Sequence, residues 1–199
     1  NIYYKMSADL GQIDSMYYYG YNLENGRGIR SNKSEALKYY KMAAERNHIE
    51  GMYRYALMLE KDNNSESKMI ASNFYKNAAD NNHTDSMYRY ALLNYKSNTC
   101  LQQEACRYCK MAVDRNHNDA KFLYAEMLYN GNGIKLNKGL ALTYYKQAAD
   151  NRNVKAMFQY AMMNEFGDGT PVNKKEAIKY YKMAAENGDK SALIKYNKL

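Results

Sequence analysis

One hexapeptide constrains this chain more than any other feature. Tyr39-Tyr40-Lys41-Met42-Ala43-Ala44 returns as Tyr180-Tyr181-Lys182-Met183-Ala184-Ala185, and weaker copies begin at Tyr3, Phe74, Tyr108 and Tyr144. Successive copies stand about 35 residues apart, a period that belongs to helical-hairpin solenoids and lies outside that of propeller blades. A chain repeating on this scale builds small units, each of which buries its apolar face against its neighbours. We therefore expect a single array rather than a globule with one central core.

Aligning the copies gives a partial repeat at 1–14, five nearly full repeats at 15–50, 51–85, 86–119, 120–155 and 156–191, and the start of another at 192–199. Each repeat splits into two amphipathic stretches. In the first, helix A, Tyr19, Tyr55, Tyr90, Tyr124 and Tyr160 align, each followed by Gly or Ala. An aromatic lies two places earlier and Leu or Met about three places later, which is helical spacing rather than strand alternation. In the second, helix B, Ala36, Ala71, Ala105, Ala141 and Ala177 recur. Three residues on comes an aromatic, and four further on another Ala, so Ala, ring and Ala share one stripe. Lys and Glu fill the remaining faces.

Between helices A and B stand Asn25-Gly26-Arg27-Gly28-Ile29, Asn130-Gly131-Asn132-Gly133-Ile134 and Phe166-Gly167-Asp168-Gly169-Thr170. They lack both the preceding strand and the following Gly-Lys-Ser/Thr of a phosphate loop, so they read as turns that use positive φ. Repeats two and three replace the glycines with Lys61-Asp62-Asn63-Asn64 and Lys96-Ser97-Asn98-Thr99, and they run one or two residues shorter. Between repeats, Arg46-Asn47-His48, Asn81-Asn82-His83, Arg115-Asn116-His117 and Asn187-Gly188-Asp189 read as helix stops built on left-handed formers.

The pattern small-x-aromatic-x-Tyr-small, a Gly-x-Gly loop, then Lys-x-Glu-Ala-x-x-Tyr-Tyr-Lys-x-Ala-Ala resembles the Sel1-like repeat, a relative of the tetratricopeptide repeat. The resemblance spans essentially the whole chain. It implies an all-α fold, a right-handed α-solenoid of about five to six helix-turn-helix repeats whose concave surface, lined mainly by A helices, binds other proteins. Its cysteine-rich bacterial subset joins helix B to the next helix A by disulfides. Here the matching positions are Ala44 and Met52, Ala79 and Met87, and Ala149 and Met157, which cannot form them.

Chemistry beyond binding finds little support. Cys106 and Cys109, with Cys100 upstream and His117 downstream, have the makings of a zinc set. Yet Cys106 occupies the column of Leu37, Leu142 and Ile178, and Cys109 that of Tyr40, Tyr145 and Tyr181, so both read as core substitutions. The three histidines recur at equivalent turns, a repeat's width apart. No nucleophile elbow, carboxylate pair or metalloprotease pattern is present, and we expect no enzyme, cofactor or metal. The triplets opened by Asn32, Asn63 and Asn82 are formal glycosylation acceptors that an Asn-rich chain generates by chance.

An odd count of three Cys without regular spacing argues against a disulfide framework and for a reducing compartment, the cytoplasm, with the ER lumen as the alternative. No apolar run approaches the roughly 20 residues of a membrane span. The chain opens at Asn1 inside the second half of a repeat, without the polar outer face of a capping repeat. We expect it to be part of a longer protein, or to stack with further repeats or subunits.

Net charge of +8 favours an acidic or mixed acidic-apolar protein surface as partner, with nucleic acid the weaker reading. Most Lys ride on helix B, but Arg54 and Arg89 lie in register on helix A beside Tyr53 and Tyr88. Cation plus aromatic is the composition of a binding hot spot. The expected partner-binding residues are Tyr17, Tyr21, Arg54, Leu57, Arg89, Leu92, Leu123, Glu126, Gln159 and Met162, on a non-enzymatic scaffold or adaptor. The alternative is a basic structural component of a large cytoskeletal or nucleic-acid-containing assembly.

Overall fold

The computed structural model describes residues 1–62 and 64–199. Asn63, and with it the acceptor triplet that it opens, lies outside the described residues. Among the described residues the chain is all helix: α1 Ile2–Asp9, α2 Ile13–Asn25, α3 Lys33–Ala44, α4 Ile49–Glu60, α5 Ser65–Asp80, α6 Thr84–Asn94, α7 Thr99–Asp114, α8 Asn118–Asn130, α9 Lys138–Asp150, α10 Val154–Phe166, α11 Lys174–Glu186 and α12 Lys190–Tyr196. Even-numbered elements are A helices and odd-numbered ones B helices. They form two compact units, Asn1–Leu93 and Asn94–Leu199.

In the first unit α1 packs on α2, α2 on α3, α3 on α4, and α4 on α5. In the second the same succession runs from α7 to α12. Within a repeat the aligned rings meet edge to face. Tyr19 and Tyr39 lie 4.7 Å apart, Tyr55 and Phe74 5.0 Å, Tyr124 and Tyr144 5.0 Å, and Tyr160 and Tyr180 4.6 Å. Such pairs add about 0.5–1.5 kcal/mol each beyond area burial. Around them the recurring alanines are fully buried, which lets the helix backbones approach.

The loops divide into two kinds. A helices α2, α8 and α10 end on the left-handed glycines Gly26, Gly131 and Gly167. The second glycine of the loop answers a closer constraint. A Cβ on Gly133 would lie 2.1 Å from the Gln102 carbonyl oxygen, and one on Gly169 would lie 2.8 Å from the Lys138 carbonyl carbon. These loops therefore press against the start of the preceding B helix. In repeats two and three the loop shortens further than the repeat does, because helix B begins earlier. The B helices α5 and α7 each run 16 residues, against 12 for α3 and 13 for α9 and α11.

Every full B helix opens on an asparagine cap. Asn32, Asn64, Asn98, Asn137 and Asn173 accept from backbone N–H groups of the first turn. Asn32 thus serves as a helix cap. The inter-repeat turns use the left-handed formers that the sequence suggests, with φ of 63° at Asn47, 67° at Asn82, 66° at Asn116 and 92° at Gly188. Arg152 holds the same conformation, at 67°, without the help of a small or Asx side chain.

Candidate partner-binding face

Three side-chain columns meet where helix A faces solvent, and the first is tyrosine. Tyr40, Tyr75, Tyr145 and Tyr181, the second aromatic of the repeated peptide, are all buried, and each hydroxyl donates to a carboxylate on the A helix of its own repeat. Tyr40 reaches Glu24 at 2.8 Å, Tyr75 reaches Glu60 at 2.8 Å, Tyr181 reaches Glu165 at 2.6 Å, and Tyr145 reaches Glu126. Burial and the carboxylate acceptor push all four phenols well above their ordinary range. Repeat three lacks both halves: Cys109 stands in the tyrosine column and Tyr95 in the glutamate column.

The second column adds a cation from the next repeat. Arg89 reaches Glu60 at 3.5 Å and Lys195 reaches Glu165 at 3.0 Å, so a tyrosine hydroxyl and a cation share one carboxylate at each place. Burial pushes the Glu165 carboxyl up, but the Tyr181 and Lys195 hydrogen bonds win and hold it below its usual value. Arg54 occupies the same column, yet it turns to Glu50 at 3.2 Å on its own helix. Its guanidinium carbon lies 5.5 Å from the Tyr21 ring centre, and that of Arg27 lies 4.9 Å from the same ring. Two arginines thus lie within cation–π distance of one half-exposed phenol ring.

The third column is the start of helix A. His48, His83 and His117 cap α4, α6 and α8 by accepting backbone N–H groups at Nδ1, from Gly51 at 2.9 Å, Ser86 at 3.2 Å and Ala120 at 3.1 Å. The opposite nitrogen, Nε2, faces Asp14 at 3.5 Å in His48 and Glu50 at 3.2 Å in His83. The His83 contact is the main reason that the Glu50 carboxyl is held low. Tyr17 stacks on His48 at 4.8 Å and Tyr53 lies 4.7 Å from His83, extending the aromatic surface from one A helix to the next cap.

Of the sequence-derived candidates, the first unit carries Tyr17, Tyr21, Arg54, Leu57, Arg89 and Leu92, all half-exposed on A helices. The second carries Glu126, Gln159 and Met162, also half-exposed, and Leu123, which is only 3% exposed and offers almost no surface. Leu123 takes the cation column of repeat four and turns it inward. Gln159 and Met162 join Tyr129, Phe166 and Asp168 around a pocket of about 70 Å³. Asp168 is tied by the Lys138 ammonium at 2.7 Å and the Tyr129 hydroxyl at 2.6 Å, which hold its carboxyl below the usual range.

The cysteine pair lies in the core. Cys106 and Cys109 are buried, and burial pushes the Cys106 thiol up to about 11. The Cys109 thiol, raised further, donates to the Ala120 carbonyl oxygen at 3.4 Å. Sequence reading missed the tyrosine–carboxylate joints and the histidine caps, although both recur in columns that could have been aligned. It also missed Lys121, which occupies the methionine column of Met16, Met52, Met87 and Met157. Lys121 is 7% exposed and its ammonium donates to Asn116 at 2.7 Å.

The sequence matches the Sel1 repeat at residues 13–48, 118–153 and 154–189. A protective antigen of uropathogenic Escherichia coli strains displaying an SLR fold superposes with a TM-score of 0.85 at 20% identity, over 98% of this chain and 43% of that one. The chain therefore spans less than half of that antigen. A Sel1 repeat protein from Oxalobacter formigenes gives 0.80 at 24% identity, over 93% and 75%. Helicobacter pylori cysteine rich protein B gives 0.52 at 20% identity, over 66% and 96%. Identities this low establish the solenoid fold alone. No curated protein sequence matches the chain. Sel1 repeats typically mediate protein–protein interactions and are generally non-catalytic. Among the described residues, no helix is long and apolar enough to cross a membrane. The three repeat matches together cover more than half of the sequence, and the chain belongs to the Sel1 repeat family.

Proposed function

We propose that this chain is a non-enzymatic scaffold that binds another protein through the solvent face of its A helices. The repeats at 15–50, 51–85, 86–119, 120–155 and 156–191 are the units of that surface. The observation that carries the reading is the Tyr21 ring with both Arg27 and Arg54 within cation–π distance, on a half-exposed face with Tyr17. Aromatic and arginine side chains whose rotamers are already restrained lose little entropy on binding. Two guanidiniums there favour an acidic or mixed acidic-apolar partner.

Arg54 and Arg89 each pair with a glutamate, but Arg54 also lies over the half-exposed Tyr21 ring, which makes it the sharper probe. In the second unit Glu126, Gln159 and Met162 are the exposed candidates for contact, while Leu123 is buried. Three unpaired thiols support a reducing compartment, and we assign the chain to the cytoplasm.

The test is charge reversal. Arg54→Glu is expected to weaken capture of partner protein by about tenfold or more, with the thermal midpoint held within a few degrees. Capture unchanged by Arg54→Glu and by Arg27→Glu sinks this reading of the first unit. Binding that falls steeply with salt and is displaced by a polyanion would favour the assembly reading instead.

A further inference from the structure

The cation column meets its carboxylate where Arg89 pairs with Glu60 and Lys195 with Glu165, holds Arg54 turned to Glu50 above the Glu24 joint, and carries no cation at the fourth joint. In repeat four the carboxylate is Glu126, one helical turn before the glutamate column of the other repeats, which here holds Tyr129. Residues three apart lie on the same helix face, so Glu126 still receives the Tyr145 hydroxyl. The residue of the next repeat that stands in the place of Arg89 and Lys195 is Gln159, which has no charge. Lys138, which lies over the Tyr129 ring, is committed to Asp168.

We propose that Glu126 receives a lysine or arginine side chain from the protein segment bound by the second unit. The incoming cation takes the role that Arg89 plays for Glu60 within the chain. Beside it, Tyr129, Gln159, Met162 and Phe166 line the small pocket, with Phe166 60% exposed. The ring of Tyr129 lies 6.5 Å from that of Tyr145, which links the pocket to the joint. The recognised element is therefore a basic residue next to an apolar one. A half-buried carboxylate whose neutral donor comes from below has acceptor capacity left on its open side. Charge-assisted pairing there is stronger than a neutral hydrogen bond.

The proposal rests on the A-helix face being the binding surface, but its test involves neither Arg54 nor a captured partner. The probe is acetyl-Leu-Lys-Leu-amide, with its norleucine counterpart as control, titrated into the full chain carrying methyl-13C methionine. The expected result is a saturable shift of the Met162 methyl with the lysine probe and not with norleucine. Glu126→Gln weakens that binding on the order of tenfold. Gln159→Lys, which supplies the cation internally, abolishes it and raises the thermal midpoint. Equal shifts with both probes, or unchanged affinity in Glu126→Gln and Gln159→Lys, would overturn the proposal. Failure of Arg54→Glu to affect capture would sink the reading of the first unit and leave this result standing.

Discussion

Repeats two and four build the same joint and finish it differently. In repeat two the Tyr75 hydroxyl and the Arg89 guanidinium converge on Glu60, and the joint is complete within the chain. In repeat four Tyr145 meets Glu126, but Gln159 stands where the arginine would be. The comparison separates two kinds of column. The buried hydroxyl and its carboxylate hold helix B to helix A, so they recur. The residue above them lies at the surface, where a charge can be kept, dropped or left for a partner to supply.

Alkali should break what the joints share. Tyr40, Tyr75, Tyr145 and Tyr181 keep their protons above the ordinary phenol value, through burial first and the carboxylate acceptor second. Above about pH 10 the unfolded chain releases protons that the folded chain retains, so stability falls as pH rises. Each such tyrosine contributes a slope of about 1.4 kcal/mol per pH unit. Tyrosinate absorbance should therefore rise in two stages, the second coinciding with loss of helical circular dichroism. A single stage near pH 10 with helix intact would contradict the joints.

Removing one hydroxyl sharpens the contrast. Tyr145→Phe leaves Glu126 without its donor and should cost about 2 kcal/mol, whereas Tyr75→Phe leaves Glu60 its arginine and should cost about half that. Urea denaturation of the two variants checks the order, and the reverse order would mean that Arg89 adds nothing to its joint. Two further departures of the second unit should respond in the opposite sense. Lys121→Met restores the residue of four other repeats to a buried position and should stabilise by about 1 kcal/mol. Arg152→Asn relieves a left-handed conformation and should stabilise by somewhat less, about 0.5–1 kcal/mol, read as a rise in thermal midpoint.

Much of the fold was legible because it is periodic. The Ala–aromatic–Ala stripe of helix B and the Tyr-small pair of helix A name the faces that meet, and the rings at 19 and 39 or 124 and 144 do meet. The glycine-free loops were legible as shorter, but not that α5 and α7 would lengthen to fill them. That outcome depends on Asn64 and Asn98 capping a turn earlier, a choice that composition alone leaves open. At the surface, periodicity helped less. Arg54 and Arg89 share a column and look alike in sequence, yet one turns to its own helix and the other bridges to the previous repeat. Leu123 shared that column and turned inward. Which way a side chain leans depends on partners one repeat away, such as Glu60, that local patterns do not reveal.

The A-helix face should meet the partner while helix B meets only its neighbours. Hydroxyl-radical footprinting with affinity-captured partner reads this directly, since tyrosine and methionine are reactive and abundant here. Tyr17, Tyr21 and Met162 should be protected on binding, while Met69, 62% exposed on the B helix α5, should keep its reactivity. Protection of Met69 with Tyr17, Tyr21 and Met162 unchanged would contradict it.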